Sequence, residues 1–346
     1  MNYESSKRKR PGKQLIVVFT FIILLLIIVF FLFNFNFFET DKYVEVSKTG
    51  TDPLTADYDT YHLDDSRENQ QIKYGFELFT NTAEYLGPDN PKLERAFSGN
   101  NLSCNNCHLQ AGTKAYSGML IGVINRFPQF RGRENKIGTI KERINGCMER
   151  SMNGKPLPPN GKEMKAFVAY LEWLNRYAPQ DGKVDGTGYA RIKIPNRAVD
   201  LEKGERLFLK KCASCHGEDG QGIPLRDYAG YLYPPLWGQD SYNLGAGMAR
   251  VITAAEFIKT NMPYGASYDK PELTDEQAYD IAGYINQKPR PQKANPELDF
   301  PDLKLKPVST PYPPYADNFP VSQHQLGPFQ PIMEFYKKEY GLTKNK

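Results

Sequence analysis

The chain has 346 residues, of which 40% are hydrophobic and 24% charged, with a formal net charge of +4. This length corresponds to about two domains, and this composition excludes a disordered or collagen-like chain. The charge excess is small and partly gathered in one N-terminal cluster, so it gives no ground for nucleic-acid binding.

Residues 1–13 read as a basic cytoplasmic tail, with Lys7, Arg8, Lys9, Arg10 and Lys13 against Glu4. Residues 14–38 follow as the anchor, with an apolar run at 15–38 interrupted by Thr20, Asn34 and Asn36. At about 1.5 Å per residue, a helix of this length crosses the roughly 30 Å hydrocarbon layer. A cleaved signal peptide has a shorter apolar core and a small-residue cleavage site. No such site stands at Asn34–Asp41. The expectation is an uncleaved single-pass anchor in the cytoplasmic membrane, N-terminus inside. Everything after residue 40, including most of the 39–65 linker, would then be periplasmic or otherwise extracytoplasmic.

The motif C-x-x-C-H occurs twice, at Cys104–His108 and at Cys212–His216. Two thiols at this spacing can add to the two vinyl groups of a haem, and the adjacent His reaches the iron from one face. Zinc sites pair such half-sites within one compact domain. Here residues 108–211 separate the two pairs. Two covalently bound haem c groups are therefore predicted, held by Cys104, Cys107 and His108 and by Cys212, Cys215 and His216.

The flanks repeat too. Gly75-Phe76-Glu77-Leu78-Phe79 precedes the first motif and Gly204-Glu205-Arg206-Leu207-Phe208 the second, both within helical patterns. Downstream, Asn160 to Glu163 and Thr274 to Gln277 read as capping boxes. The helices they open would bury Met164, Phe167, Val168, Leu171 and Leu174, and Ala278, Ile281, Ala282 and Ile285. Gly204 lies eight residues before Cys212, whereas Gly75 lies 29 before Cys104. An inserted surface loop at 80–101 is expected.

These flanks resemble the class I cytochrome c fold, in which a glycine on the first helix lets the last helix cross closely. The predicted fold is mainly α: a transmembrane helix, then two such domains, then a tail. The domains span 66–182 and 198–293, joined by a linker at 183–197. Residues 294–346 are Pro-rich, with nine prolines between 296 and 331, and read as an extended segment strapped over the domains by its aromatics. His62 and His324 match no motif and read as surface residues.

Each iron needs a second axial ligand or an open position. For the second haem, Met262 stands on a loop before the last helix, where the fold places an axial Met; Met248 is its rival. For the first, Cys147 is the one cysteine that haem attachment does not use. Either Cys147 is the ligand, or it is a buried thiol with Met148 or Met152 as ligand. Arg131, Arg133, Arg143 and Arg150 lie nearby, and cations favour thiolate and bind oxyanions.

The runs Arg126-Phe127-Pro128 to Arg133, and Arg143-Ile144-Asn145-Gly146-Cys147 with Glu149 to Gly154, resemble the dihaem thiosulfate dehydrogenase family. The resemblance implies axial pairs His108/Cys147 at a catalytic haem and His216/Met262 at an electron-transfer haem. It implies substrate contacts from Arg133, Arg143 and Ser151. It implies coupling of two thiosulfates to tetrathionate, or the reverse, with electrons exchanged with an external partner such as a soluble cytochrome or terminal oxidase. The alternatives are a non-catalytic tethered dihaem carrier and an assembly subunit of a sulfur-oxidation complex. Some family members carry a Lys before the Met of the second haem; here that residue is Asn261.

Overall fold

The computed structural model describes residues 21–26, 51–90, 94, 96–226 and 229–346. Residues 21–26 are helical and exposed. The rest of the expected anchor, the basic tail and most of the segment before residue 51 lie outside the described residues. Among the described residues, no helix is long and apolar enough to cross a membrane. Residues 49–346 form one compact unit.

Two helix pairs organise this unit. In the first, α1 (Arg67–Thr80) crosses α4 (Lys162–Leu174); in the second, α5 (Leu201–Lys211) crosses α8 (Asp275–Gln287). Ser66 caps α1 and Asp200 caps α5, each side chain accepting from a backbone N–H of the first turn. Thr274 and Gln277 form the full capping box of α8. The first expected box is corrected: Gly161, not Asn160, is the N-cap of α4, and no side chain caps it.

Glycine sets both crossings. A Cβ on Gly75 would lie 2.0 Å from the Ala166 carbonyl oxygen and 2.7 Å from Tyr170 Cβ. A Cβ on Gly204 would lie 2.3 Å from the Asp280 carbonyl oxygen and 2.9 Å from Tyr284 Cβ. The phenylalanine four residues on from each glycine packs on the same tyrosine: Phe79 on Tyr170 at 5.7 Å and Phe208 on Tyr284 at 5.4 Å between ring centroids. Each pair is the centre of its own apolar cluster.

Between the pairs lie α2 (Thr82–Leu86), a hairpin of β1 (Gln129–Arg131) and β2 (Lys136–Gly138), α3 (Ile140–Arg150), the short α6 (Ala213–His216), a second hairpin of β3 (Ile223–Pro224) and β4 (Tyr231–Tyr233), and α7 (Val251–Asn261). Helix α3 opens on a complete capping box, Thr139 with Glu142. The 80–101 segment is not simply a surface loop. Thr82, Ala83 and Leu86 are buried because α2 packs its short apolar face inward, and Ser98 and Asn100 are buried where they donate to the Met152 and Ser151 carbonyls.

The C-terminal residues lie against the rest of the unit and differ from the expected extended chain. They contain α9 (Val321–Leu326) and α10 (Gln330–Tyr340). Phe329, Ile332 and Tyr336 enter the second apolar cluster. Asp299 and Phe300 reach the first domain, where the Phe300 N–H donates to the Arg133 carbonyl at 2.7 Å. His62 is exposed and pairs with Asp59. His324 is not a surface residue. It is buried, stacked on Tyr315, and its ring nitrogens face the Val308 carbonyl and the Asp317 carboxylate.

Candidate active site and haem pockets

Each C-x-x-C-H motif opens onto a largely apolar cavity. The first, of about 310 Å³, is lined by Cys104, Cys107, His108, Cys147 and Ser151, with Phe79, Val123, Phe167 and Leu171 among its apolar walls. The second, of about 350 Å³, is lined by Cys212, Cys215, His216 and Met262, with Phe257, Ile281 and Ile285. All five cysteines are free thiols. Burial pushes Cys104 up to about 12, and Cys107 and Cys212 up to about 11. Such surroundings suit a neutral thioether.

Both histidines are set for a metal in the same way. His108 Nδ1 faces the Gly118 carbonyl at 2.6 Å, and His216 Nδ1 faces the Pro234 carbonyl at 2.9 Å. A backbone carbonyl on one ring nitrogen fixes the ring and leaves the other free to bind iron. Gly118 makes room for this: a Cβ there would lie 3.0 Å from His108 Nδ1. Among the described residues, no cluster of three His, Cys, Asp or Glu could hold a bare metal ion. The paired thiols and the carbonyl-held histidine at each cavity fit two covalently bound haems.

Helix α3 presents Cys147 and Arg143 one turn apart on the face that lines the first cavity. The Arg143 guanidinium donates to Cys147 Sγ at 2.7 Å. Burial opposes ionisation of Cys147. The Arg143 charge and a hydrogen bond with His108 outweigh it and hold the thiol down at about 6. The contact with His108 also shows that these two side chains meet across one cavity. Ser151 caps the C-terminus of α3 and lines the same cavity.

Arg133 is placed differently. It does not line the cavity, and its Nη1 donates to the Asp299 carboxylate at 2.5 Å and to the Gly245 carbonyl at 3.0 Å. Arg150 binds the same carboxylate at 2.6 Å, and the Tyr312 hydroxyl donates to it at 2.8 Å. Met262 lines the second cavity with His216, whereas Met248 lies in a wall common to both cavities with Leu102, Cys107 and Tyr242. Asn261 donates to the Tyr116 and Phe257 carbonyls. Lys259 is tied to the Leu273 carbonyl and Asp275, away from an iron site.

Several site residues escape the sequence patterns. Tyr189, from the 183–197 segment, lines the first cavity beside Gly188. Arg250, at the start of α7, is enclosed near Arg133 and Arg143, and burial with those like charges lowers it to about 10. Arg126 and Gln129 complete the polar lining. No periodicity marks Tyr189 and Arg250, which stand outside the repeated motifs, whereas Arg126 and Gln129 fall in the 126–133 run that carries the family resemblance.

Fold and pockets define a dihaem c-type cytochrome with a cysteine facing one of its haem sites. The sequence matches the SoxA/TsdA cytochrome c domain over residues 94–179 and the cytochrome c family over residues 201–288. It is 40% identical to the thiosulfate dehydrogenase of Stutzerimonas stutzeri over 64% of this chain and 68% of that one. It is 38% identical to that of Psychrobacter arcticus, over 69% of each chain. Among solved structures, thiosulfate dehydrogenase (TsdBA) from Marichromatium purpuratum is similar, with a TM-score of 0.62 and 36% identity. That likeness covers 68% of this chain and 49% of that one. The chain belongs to the dihaem thiosulfate dehydrogenase family and is an oxidoreductase acting on sulfur compounds.

Proposed function

We propose that the protein couples two thiosulfates to tetrathionate, releasing two electrons, at the cavity shared by His108, Arg143, Cys147 and Ser151. The observation that carries this is the Arg143–Cys147 contact at 2.7 Å inside a haem-sized pocket. A cation there holds a nucleophilic sulfur as thiolate and offsets the repulsion between dianions. Each haem, when bound, would supply a one-electron acceptor; His108 and Cys147 would hold the first and His216 and Met262 the second.

The chain's own chemistry then balances in two steps. The Cys147 thiolate and the outer sulfur of one thiosulfate form a sulfur–sulfur bond as two electrons depart. A second thiosulfate attacks the outer sulfur of that adduct, displacing the thiolate and yielding tetrathionate. Arg143 and Ser151 orient the sulfonate in both steps. The reverse sequence reduces tetrathionate.

Residues 14–38 would tether the enzyme to the cytoplasmic membrane, with the haem domains outside and an external cytochrome or oxidase taking the electrons. A reporter fused after residue 346 is expected to work only on the outer side; a cytoplasmic signal overturns the tether. Purified holoprotein with thiosulfate and ferricyanide tests the activity. Turnover is expected, and Cys147→Ala should keep two haems per chain yet fall to background. A fully active variant removes Cys147 from the chemistry. A wild type without turnover is a carrier.

A further inference from the structure

Tetrathionate carries a sulfonate at each end, so a site that builds it must hold two anionic ends at once. Arg143 serves the end beside Cys147. Arg133, which the family resemblance assigns to substrate, spends its charge on Asp299. Besides Arg143, the arginine in the lining of the first cavity is Arg126.

Among the described residues, Arg126 has no side-chain partner. Its Nε is buried without a hydrogen bond. Among the described residues, its charge feels burial first and then the like charge of Arg143, both of which lower it. An unpaired donor in such a place is costly unless a ligand supplies the acceptor. The residue is also held in place. It ends the 3₁₀ turn Ile124–Arg126. A Cβ on Gly182 would lie 2.8 Å from Arg126 Cγ, and the neighbouring Asn125 donates to the Pro179 carbonyl at 2.8 Å.

We propose that Arg126, with Gln129 beside it in the lining, binds the second sulfonate: the end of tetrathionate remote from Cys147, and the thiosulfate that arrives second. This rests on the functional reading above and names the subsite that reading lacks. Arg126 is a binding residue; Cys147 and Arg143 remain the reacting pair.

The test is calorimetric titration of tetrathionate into the oxidised dihaem protein, which has no electrons to reduce it. Arg126→Gln is expected to raise Kd about tenfold or more, as loss of a charge-assisted bond does. Arg126→Lys should recover part of this, and the midpoint potential of the first haem should stay at its wild-type value. A Kd within twofold of wild type in Arg126→Gln overturns the proposal. If the potential moves while Kd does not, Arg126 holds a haem propionate and the proposal is likewise wrong. Should Arg126→Gln load fewer than two haems, Arg126→Lys and Gln129→Ala decide: Kd values both within twofold of wild type overturn the subsite. A wild type that neither binds nor turns over substrate sinks the functional reading itself, a result distinct from any change confined to the variants.

Discussion

Cys147 gains its character from two neighbours. Burial alone would suppress its thiolate, as it does at Cys104 and Cys107; the larger part of the difference is the charge of Arg143, one helical turn earlier, and the rest is His108. Replacing Arg143 with Gln removes the cation while leaving a donor of similar reach. Turnover should drop about 100-fold to 1,000-fold, the range seen when one preorganised donor is removed from a site where charge develops. Steady-state kinetics with ferricyanide measures it. A kcat within threefold of wild type would mean that Arg143 acts only on the resting thiol. The spacing of Arg143 and Cys147 on one helix is visible in the sequence. The engagement of Arg133 is not, because its partner Asp299 stands 166 residues later.

At the scale of elements, the helix crossings and the strap behave differently. The crossings were legible because they depend on local motifs repeated twice: a glycine, then a phenylalanine four residues on, then an attachment site. Gly204→Ala would drive a methyl group into the Asp280 carbonyl, and overpacking of this kind costs about 1–3 kcal/mol. Chemical denaturation of the holoprotein should show that loss. The strap was legible only as aromatic and proline-rich. Its helices are short, and α10 buries just Ile332 and Tyr336, one turn apart, too brief a period to stand out among prolines. The buried state of His324 depends on Tyr315 and Asp317 closing around it, which no local pattern announces.

Asp299 fixes the strap to the first domain and makes that attachment sensitive to acid. Burial raises this carboxyl, but Arg150 and Arg133 outweigh it and hold it at about 2. A depressed folded-state pKa means the stabilisation is fully present above the unfolded value near 4 and is lost as pH falls toward 2. Stability of wild type should therefore decline over that window. Asp299→Asn should flatten the decline and be less stable at pH 7, by about 3–5 kcal/mol if both guanidinium groups are left uncompensated. Equal slopes for the two proteins between pH 4 and 2 would assign the acid sensitivity to other groups.

Across the whole folded unit, the two haem pockets share a wall, and hydrogen bonds join the two halves of the unit beside it. Leu102, Cys107, Tyr242 and Met248 line both cavities, so one layer of side chains divides them. Asn243, buried in the second half, reaches into the first: its Nδ2 donates to the Glu149 carbonyl at 2.9 Å and to Asn153 Oδ1 at 3.0 Å, and its N–H donates to the Arg150 carbonyl, while its Oδ1 accepts from the Gly245 N–H of its own half at 3.0 Å. Asn100 returns the contact to the Ser241 carbonyl at 3.1 Å. An electron passing between the sites needs that wall kept thin and fixed, and these bonds fix it at the end of α3, next to Cys147 and Ser151. Two domains coupled this closely should unfold together. Calorimetry of the holoprotein is expected to give one transition whose calorimetric and van't Hoff enthalpies agree. Asn243→Ala removes the two side-chain bonds across the seam, to the Glu149 carbonyl and Asn153 Oδ1, while keeping the backbone bond to Arg150; it should cost about 1–3 kcal/mol, lowering the transition temperature and slowing reduction of the second haem after thiosulfate reduces the first. Two separate transitions in the wild type would show instead that the halves are merely adjacent, and that the strap alone keeps them in register.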